Sequence, residues 1–394
     1  MKRIFLIILG IVFFNLVGAQ GIKSAVDSNN VFAFKLYANL KGNHNLFYSP
    51  FSISSALAMT YAGAKGETEK QMSKTLHFNP KHDSLNSHFE KIITTITADT
   101  ANGIQLSIAN SLWAQNKFHF LNTYTDLIKQ FYLSQVNNVD FADVKTRDEI
   151  NGWVEKKTNN KITDLLPKGS INGNTKLVLV NALYFHGEWA AKFKTAFTTK
   201  DFFYRSSKDS VSADFMHMTE YNNYYEDSKF NVVEIPYKNN KASMLVFLPV
   251  NSSKMRTMQK DFTFKYYTQV INSLKNEKVS LSLPKFKVTM NFDLSDTLKK
   301  MGMPLAFIAQ ADFSGMDGSK DLFISKVLHK AYIAITEDGT EAAAATAVIK
   351  TIGMAPPTPM KHFKADHPFM FIIKDNATGS ILFMGQINNP AGDN

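Results

Sequence analysis

The chain has 394 residues, of which 44% are hydrophobic and 20% are charged, and it contains no cysteine. This composition excludes a disordered or disulfide-stapled protein, and it excludes thiol catalysis and thiolate metal sites. The 44 Lys and Arg residues outnumber the 34 Asp and Glu residues, which gives a net charge of +10. Only four of the basic residues are Arg and the Lys residues are scattered, so we expect no nucleic-acid partner.

The first twenty residues have the pattern of a secretory signal peptide. Two basic residues precede an apolar run, Ile4–Val17, and small residues follow up to Ala19. A run of about 14 apolar residues is shorter than the roughly 20 that span a bilayer, so the pattern favours a cleaved signal peptide over a membrane anchor. We therefore expect residues 1–19 to be removed and the mature protein to be secreted, into an extracellular space or a periplasm, with no membrane partner.

Helical spacing dominates the first part of the mature chain. Apolar residues recur at this spacing in Asp27–Leu40, behind an N-cap at its first or second residue, and again from Pro50 to Gly63. A capping box that begins at Thr146 precedes a third pattern, which predicts a helix as far as Asn160.

Strands are predicted mainly in the second half of the chain. The segments rich in β-branched and aromatic residues are Lys176–Phe185, Asn231–Tyr237, Ser243–Pro249, Val279–Val288, Phe323–Ile335, Phe369–Lys374 and Ile381–Gln386. Strands and helices do not alternate regularly, and no repeat is present. The order of elements therefore favours the α+β fold class over a doubly wound sheet or a solenoid.

The chain carries no common enzyme motif. It lacks a G-x-S-x-G elbow, an H-E-x-x-H helix, a P-loop and a G-x-G-x-x-G turn, and its ten His residues have no metal-ligand spacing. The segment Asp312–Asp321 resembles a calcium loop only weakly, because its glycines are misplaced and the closing Glu is missing. We therefore expect a protein that is not an enzyme and that has no cofactor and no metal. A motif search does not detect a catalytic triad dispersed along the chain, because the order of its residues in the sequence is not fixed.

The segment that follows the predicted strand 323–335 is unusual in composition. It reads EDGTEAAAATAVI from Glu337 to Ile349, and three prolines follow within four residues from Pro356. Its alanines favour a helix or a flexible linker on propensity alone. Read with a period of two, the residues on one face are Thr340, Ala342, Ala344, Thr346 and Val348. Because these side chains are small, the segment is also able to enter a sheet between two existing strands.

At these residues the sequence resembles the serpin family, in its inhibitory branch, and the resemblance extends over essentially the whole mature chain. Family-like blocks, in the family's order, are Asn45–Ile53, Val180–Phe185 with Trp189, Leu283–Phe286, Asp312–Gly315, Lys326–Lys330, Ala365–Phe369 and Phe383–Gly385. The resemblance implies an α+β serpin fold in which residues 20–394 form a single domain of three β-sheets and eight or nine helices. It also implies an exposed reactive loop over about residues 338–363.

The resemblance further implies inhibition by a suicide-substrate mechanism. A serine protease attacks the loop and forms an acyl-enzyme; the cut loop then inserts as a new strand in the largest sheet and traps the enzyme in a covalent 1:1 complex. The hinge of this movement consists of Glu337, Gly339, Thr340, Glu341, Ala342, Ala343, Ala344, Ala345 and Thr346. A proline or a charged residue at position 340 would oppose entry into the sheet, so the hinge composition favours an inhibitor. The alternative is the same fold as a non-inhibitory carrier, storage or chaperone-like binding protein.

Two further groups of residues acquire roles through the resemblance. A polar cluster beneath the sheet, where strands separate to admit the loop, corresponds to Ser49, Ser52, Asn181 and His329. The place where the loop first inserts corresponds to Trp189, Lys285 and Glu337, and Lys285 is expected to restrain Glu337. A buried polar network can act as a latch, whereas an exposed ion pair contributes only about 0–1 kcal/mol.

The family's usual spacing from Glu337 places the reactive bond between Gly353 and Met354. Bonds that begin at Ile352 or end at Ala355 are alternatives. The small and apolar residues around the bond suit elastase-like or subtilisin-like serine proteases, with papain-like cysteine proteases as a further target class.

The resemblance also bears on partners other than proteases. The helix that binds heparin in some members of the family corresponds to residues 84–98, where only Lys91 is basic. We therefore expect a monomer that has no heparin partner.

Overall fold

The computed structural model describes residues 23–78, 82–97, 104–251, 259–340 and 360–392. The predicted signal peptide and most of the predicted reactive loop, residues 341–359, lie outside these ranges. No helix in the described part of the chain is long and apolar enough to cross a membrane.

The helices lie mostly in the first half of the chain. They are α1 over residues 23–40, α2 (Pro50–Gly63), α3 (Gly66–Leu76), α4 (His82–Thr97), α5 (Asn122–Tyr132), α6 (Lys145–Lys157), α7 (Phe264–Ser273), α8 (Ser295–Met301) and α9 (Ser314–Asp317). Helix α2 has the predicted bounds, because the Ser49 hydroxyl accepts a hydrogen bond from the Ser52 amide and caps its first turn.

Two predicted helix starts are wrong. Helix α1 already covers residue 23, so the predicted cap at Asp27 or Ser28 lies inside the helix. Helix α6 begins at Lys145, and the Thr146 hydroxyl donates to the carbonyl of Asp140 at 2.6 Å instead of capping the helix. Ser28 instead donates its hydroxyl to the carbonyl of Ser24 within the helix, so a residue type that favours caps is also compatible with the interior of a helix.

Fifteen strands lie in the described ranges. They are β1 (Leu46–Tyr48), β2 (Ile104–Gln115), β3 (Val136–Val139), β4 (Leu177–Glu188), β5 (Thr199–Ser206), β6 (Asp209–Glu226), β7 (Phe230–Pro236), β8 (Ala242–Pro249), β9 (Lys275–Pro284), β10 (Phe286–Asp293), β11 (Ile324–Ile335), β12 (Gly339–Thr340), β13 (Lys361–Lys364), β14 (Phe369–Asp375) and β15 (Ile381–Ile387). The predicted strand 279–288 is two strands, which are separated at Lys285. The residues expected at the C-terminal end of the reactive loop, 361–363, belong to β13.

The strands pair into two sheets, and the α+β class is confirmed. A nine-stranded sheet has the order β1-β15-β14-β8-β7-β6-β9-β13, with β5 also paired to β6, and a six-stranded sheet has the order β10-β11-β12-β4-β2-β3. Three sheets were expected, but the described strands form two. Strand β6 pairs with β7 near its end and with β5 and β9 along the rest of its length, and it therefore joins these strands in a single sheet.

The core lies between the two sheets, and α2 runs through it. Every residue of α2 except Ala62 is buried. A second apolar cluster covers the outer face of the six-stranded sheet, where α6 and the segment after it pack on residues of β2, β4 and β11. Both faces of the central strands β4 and β11 are therefore buried.

Candidate functional site

The two central strands of the six-stranded sheet are paired at one end and separated at the other. Strands β4 and β11 are parallel neighbours from Leu177 and Ile324 to Tyr184 and Tyr332. Beyond Tyr332 they diverge, and β12 lies between them, with Thr340 paired to Gly187 of β4 and to Ile335 of β11. We call the separated end the slot and the paired end the closed junction. The slot lies in the six-stranded sheet, whereas the loop was expected to enter the largest sheet; the nine-stranded sheet is larger because β6 pairs with both β7 and β9 and joins their strands in one sheet.

The two residues of β12 fit the slot closely. Thr340 is fully buried, and its hydroxyl lies 2.7 Å from the hydroxyl of Tyr237. Gly339 has φ 149°, and a Cβ atom there would clash with the carbonyl oxygen of Gly187, so the position requires glycine. The other hinge residues, Glu341, Ala342, Ala343, Ala344, Ala345 and Thr346, and the residues of the reactive bond, Ile352, Gly353, Met354 and Ala355, lie outside the described residues.

The turn that leads into β12 is held by the residues that the resemblance assigned to first insertion. The Trp189 indole donates to the carbonyl of Thr336 at 3.0 Å, and its ring stacks on Tyr237 with centroids 4.5 Å apart. The Lys285 ammonium lies 3.0 Å from the Glu337 carboxylate. Trp189, Lys285 and Glu337 thus meet around residues 336–338.

The Glu337 carboxylate is largely buried and is held in its charged form. Burial alone would raise the pKa of Glu337, but hydrogen bonds from its own amide, Lys285 and Thr198, together with the charge of Lys285, lower that pKa below its ordinary value. The Thr198 hydroxyl donates at 2.8 Å. Thr198 and Tyr237 were not predicted as site residues, because their contacts with the hinge exist only in the folded chain.

The four residues of the expected polar cluster also meet, at the closed junction. The Ser49 amide donates to His329 Nε2 at 3.1 Å, and His329 Nδ1 is hydrogen-bonded to Asn181 Oδ1. The Asn181 amide group donates to the hydroxyl of Ser52 and to Asn110 Oδ1. Asn110, on β2, is a fifth member that the sequence did not reveal.

The cluster crosses the line along which the sheet would separate. His329 on β11 and Asn181 on β4 are register partners, and Asn181 is in turn the partner of Asn110 on β2. Burial lowers the pKa of His329 to about 3, so the imidazole is neutral and its Nδ1 carries the proton that is donated to Asn181. Separation of β4 from β11 must break that bond.

Outside this site, a surface cleft of about 670 Å³ lies between α1, α4, α7 and the β14–β15 turn. Its apolar wall includes Ile92, Phe264 and Ile271, and its charged residues include Lys23 and Lys91. Among the described residues, no group of three or more His, Asp and Glu side chains could hold a metal ion.

Comparison with known proteins agrees with this geometry. Residues 27–390 match the family model described as serpin (serine protease inhibitor). The chain is 38% identical to Serpin B3 of Homo sapiens, over 93% of this chain and 100% of that protein. It is also 38% identical to the leukocyte elastase inhibitor of Xenopus laevis, over 91% of this chain and 97% of that protein.

A solved structure extends the similarity to the fold. Human thyroxine-binding globulin, solved in complex with thyroxine, superposes with a TM-score of 0.86 and 30% identity, over 94% of this chain and 99% of that chain. The chain therefore belongs to the serpin family.

Proposed function

We propose that this protein is a secreted suicide-substrate inhibitor of serine endopeptidases, with elastase-like or subtilisin-like enzymes as preferred targets and papain-like cysteine proteases as a further class. The observation that carries the proposal is the position of β12, because Gly339 and Thr340 already occupy the slot between β4 and β11. Cleavage of the loop beyond Thr340 would free the rest of the hinge to follow the same path. Secretion rests on the pattern of residues 1–19 and is tested by N-terminal sequencing of the exported protein.

The register of β12 specifies where the later hinge residues would lie in the cleaved protein. The pairs that Thr340 makes with β4 and β11, continued in antiparallel register, set Thr346 opposite both Asn181 and His329. Successive side chains of a strand point to opposite faces of the sheet, so the Thr346 side chain would point to the inner face, as that of Thr340 does. Its hydroxyl could then replace the hydrogen bond that Asn181 and His329 lose when their strands separate.

The insertion would also be energetically favourable. In the same register, residues 340–350 would extend β12 from the slot through the opened closed junction to Leu177, the first residue of β4. The new strand would pair with both neighbours and replace the present β4–β11 pairing, so the net gain is on the order of ten ladder hydrogen bonds, each worth about 0.5–1.5 kcal/mol, which amounts to roughly 5–15 kcal/mol. Lys350 would lie at the far end of the opened junction, where its stem can carry the ammonium to solvent.

In the proposed reaction, the protease nucleophile attacks the carbonyl carbon of Gly353. The Gly353–Met354 bond breaks, and the amine of Met354 leaves with a proton. Insertion then competes with hydrolysis of the acyl-enzyme, and the enzyme is trapped when insertion is faster. Bonds beginning at Ile352 or ending at Ala355 remain alternatives.

The test is to mix the mature protein with subtilisin, elastase, chymotrypsin, trypsin and papain and to look for complexes that survive denaturant. We expect a complex with at least one of the first two enzymes, and mass analysis of the released C-terminal peptide identifies the reactive bond. Thr340→Arg should abolish the complex and leave cleavage intact, because a charged side chain cannot be buried beside Tyr237. Thr358→Arg, beyond the reactive bond, is the matched control. Cleavage by every enzyme without any complex would refute the proposal.

A carrier is the second candidate function, and the cleft between α1, α4 and α7 favours it. Its apolar walls are flanked by three lysines, Lys23, Lys91 and Lys374, and by one carboxylate, Asp27, and this excess of positive charge suits an amphipathic anion. One structural relative is named for binding thyroxine. A carrier would bind such a ligand with its loop uncut and would form no complex with a protease. Titration with an anionic naphthalene fluorophore, with Lys91→Met as the affected variant, separates the two candidates.

A further inference from the structure

The chain contains three Asn–Gly pairs, and the structure describes two of them. These are Asn151–Gly152 within α6 and Asn172–Gly173 in the turn before β4, whereas Asn102–Gly103 lies outside the described residues. An asparagine before glycine is prone to deamidation, because glycine has no Cβ atom to hinder attack of its backbone nitrogen on the asparagine side chain. The two described pairs therefore place the same chemistry in two different environments.

Asn172 and Gly173 are both exposed and form the first half of a tight turn. The Thr175 amide donates to the main-chain carbonyl of Asn172 at 2.8 Å, and the Asn174 amide donates to Asn172 Oδ1 at 2.9 Å. The second bond closes an Asx turn and holds the side-chain carbonyl beside its own main chain. Within the described part of the chain, the Gly173 amide donates to no protein group, so its nitrogen is available to react.

The Asx turn also favours the reaction electrostatically. Attack of the Gly173 nitrogen on the Asn172 side-chain carbon places negative charge on Asn172 Oδ1. The Asn174 amide already donates to that oxygen, and a donor fixed where charge develops lowers the barrier. The turn therefore both positions the side-chain carbonyl and stabilises the charge that forms on it.

Asn151 is held in a way that opposes the reaction. It is buried, its amide group donates to the carbonyl of Leu166 at 3.1 Å, and its Oδ1 accepts from the Leu166 amide at 2.8 Å. Gly152 lies inside α6, where a backbone amide is directed along the helix to the carbonyl four residues earlier. Reaction at Asn151 therefore requires local opening of α6 and loss of both bonds with Leu166.

We infer that Asn172 is a site of spontaneous deamidation in the folded protein and that Asn151 is protected from this modification. In the first step the Gly173 nitrogen bonds to Asn172 Cγ, the bond from Cγ to the side-chain nitrogen breaks, and ammonia leaves with the proton that Gly173 gives up. Water then opens the cyclic imide at either carbonyl. The product is aspartate or isoaspartate, each with one additional negative charge. The inference does not depend on the proposed function.

The modification would loosen the turn that leads into β4. In isoaspartate the main chain runs through Cγ, so the turn that the Thr175 amide and the Asn172 carbonyl now close is lengthened by one carbon. The next residue, Lys176, donates its amide to Ser325 Oγ immediately before β4 begins at Leu177. We expect hydrogen exchange at the Thr175 amide to be faster in the modified protein, while exchange within β4 stays unchanged.

The test is to incubate the purified mature protein at neutral pH and to follow each Asn–Gly pair by peptide mapping with mass spectrometry. An isoaspartate methyltransferase measures the isoaspartate that forms. We expect conversion at Asn172 to be at least about tenfold faster than at Asn151, because reaction at Asn151 must break two buried hydrogen bonds. In urea the two pairs should react at similar rates, since both are then exposed. Mapping also separates the peptide that contains Asn102.

Gly173→Ala is the matched variant. A Cβ atom there would lie 3.5 Å from the Cβ atom of Ala142, which is an ordinary contact, so the variant should fold. Conversion at Asn172 should slow by about tenfold, because misplacement of the reacting atoms slows an intramolecular reaction. Gly152→Ala, where a Cβ atom would meet nothing within 4 Å, should leave conversion at Asn172 unchanged. Equal conversion at Asn172 and Asn151 in the folded protein, or none at Asn172, would overturn the inference.

Discussion

The slot and the closed junction lie along the same two strands, yet opposite kinds of contact occupy them. At the slot, β4 and β11 are separated by Gly339 and Thr340, whose side chains are small enough to fit. At the closed junction, the same strands are joined by Asn181 and His329, with no room for a third strand. In the proposed mechanism, the hinge would enter at the slot, where a strand already lies, and its further progress would require the bond between Asn181 and His329 to break.

Substitution of His329 at the closed junction should cause the greatest loss of stability. His329→Leu leaves the Ser49 amide and the Asn181 side-chain carbonyl without the imidazole as partner, and two such buried groups cost about 2–6 kcal/mol together. We expect the free energy of unfolding of the uncleaved protein, measured by urea denaturation, to fall by that amount. His119→Leu, at an exposed position, is the control, and equal losses in both variants would contradict the assignment.

The second effect is the dependence of this junction on pH. The pKa of His329 is about 3 in the folded protein and about 6.5 in the unfolded chain. Between these values the unfolded chain binds a proton that the folded protein does not, so stability falls as the pH falls, by up to about 1.4 kcal/mol per unit. The free energy of unfolding, measured with urea from pH 7 to pH 4.5, should fall with this slope. In His329→Leu the fall should be smaller, because the variant has no imidazole at position 329 to titrate.

A smaller effect is expected at the slot. Tyr237→Phe removes the hydroxyl that lies 2.7 Å from Thr340, and one such bond contributes about 0.5–1.5 kcal/mol. Hydrogen exchange at the amide of Thr340 should become faster while exchange at β11 near His329 stays unchanged. A double-mutant cycle of Tyr237→Phe with Thr340→Val measures the interaction free energy of the two hydroxyls apart from changes in packing. A coupling free energy of zero would show that the hydrogen bond contributes nothing to stability.

The smallest effect concerns the ion pair beside the hinge. Lys285 is 36% exposed, so Lys285→Met should cost no more than about 1 kcal/mol. Because the pKa of Glu337 is lowered in the folded protein, its contribution is present above pH 4.5 and is lost as the pH falls further. Unfolding midpoints at pH 7 and pH 3.5 should differ less in Lys285→Met than in wild type. Lys238→Met, whose partner is Glu188, is the control.

Much of the fold could be predicted from the sequence because its signals are local. Helix α2 begins and ends where Pro50 and Gly63 indicated, and six of the seven predicted strands differ from observed strands only at their ends. Strand β2 was missed because both of its faces are buried, with Leu112 in the inner cluster and Trp113 in the outer one. A strand of this kind has no alternation of polar and apolar residues.

The candidate site could be predicted only through the resemblance. Ser49 and His329 are 280 residues apart in the chain, and no spacing rule connects them. Asn110 escaped notice because its role is defined by its neighbours on other elements, Ser52 and Asn181. Contacts of this kind depend on how the sheet is assembled and not on the composition of any one segment.

In the proposed mechanism, the hinge continues after cleavage from Thr340 through the slot and the opened closed junction. The most direct test is a crystal structure of the protein cut in its reactive loop. We predict a strand over residues 340–350 between β4 and β11, with Thr346 level with Asn181 and His329. A cleaved protein in which Asn181 and His329 remain hydrogen-bonded to each other would contradict it.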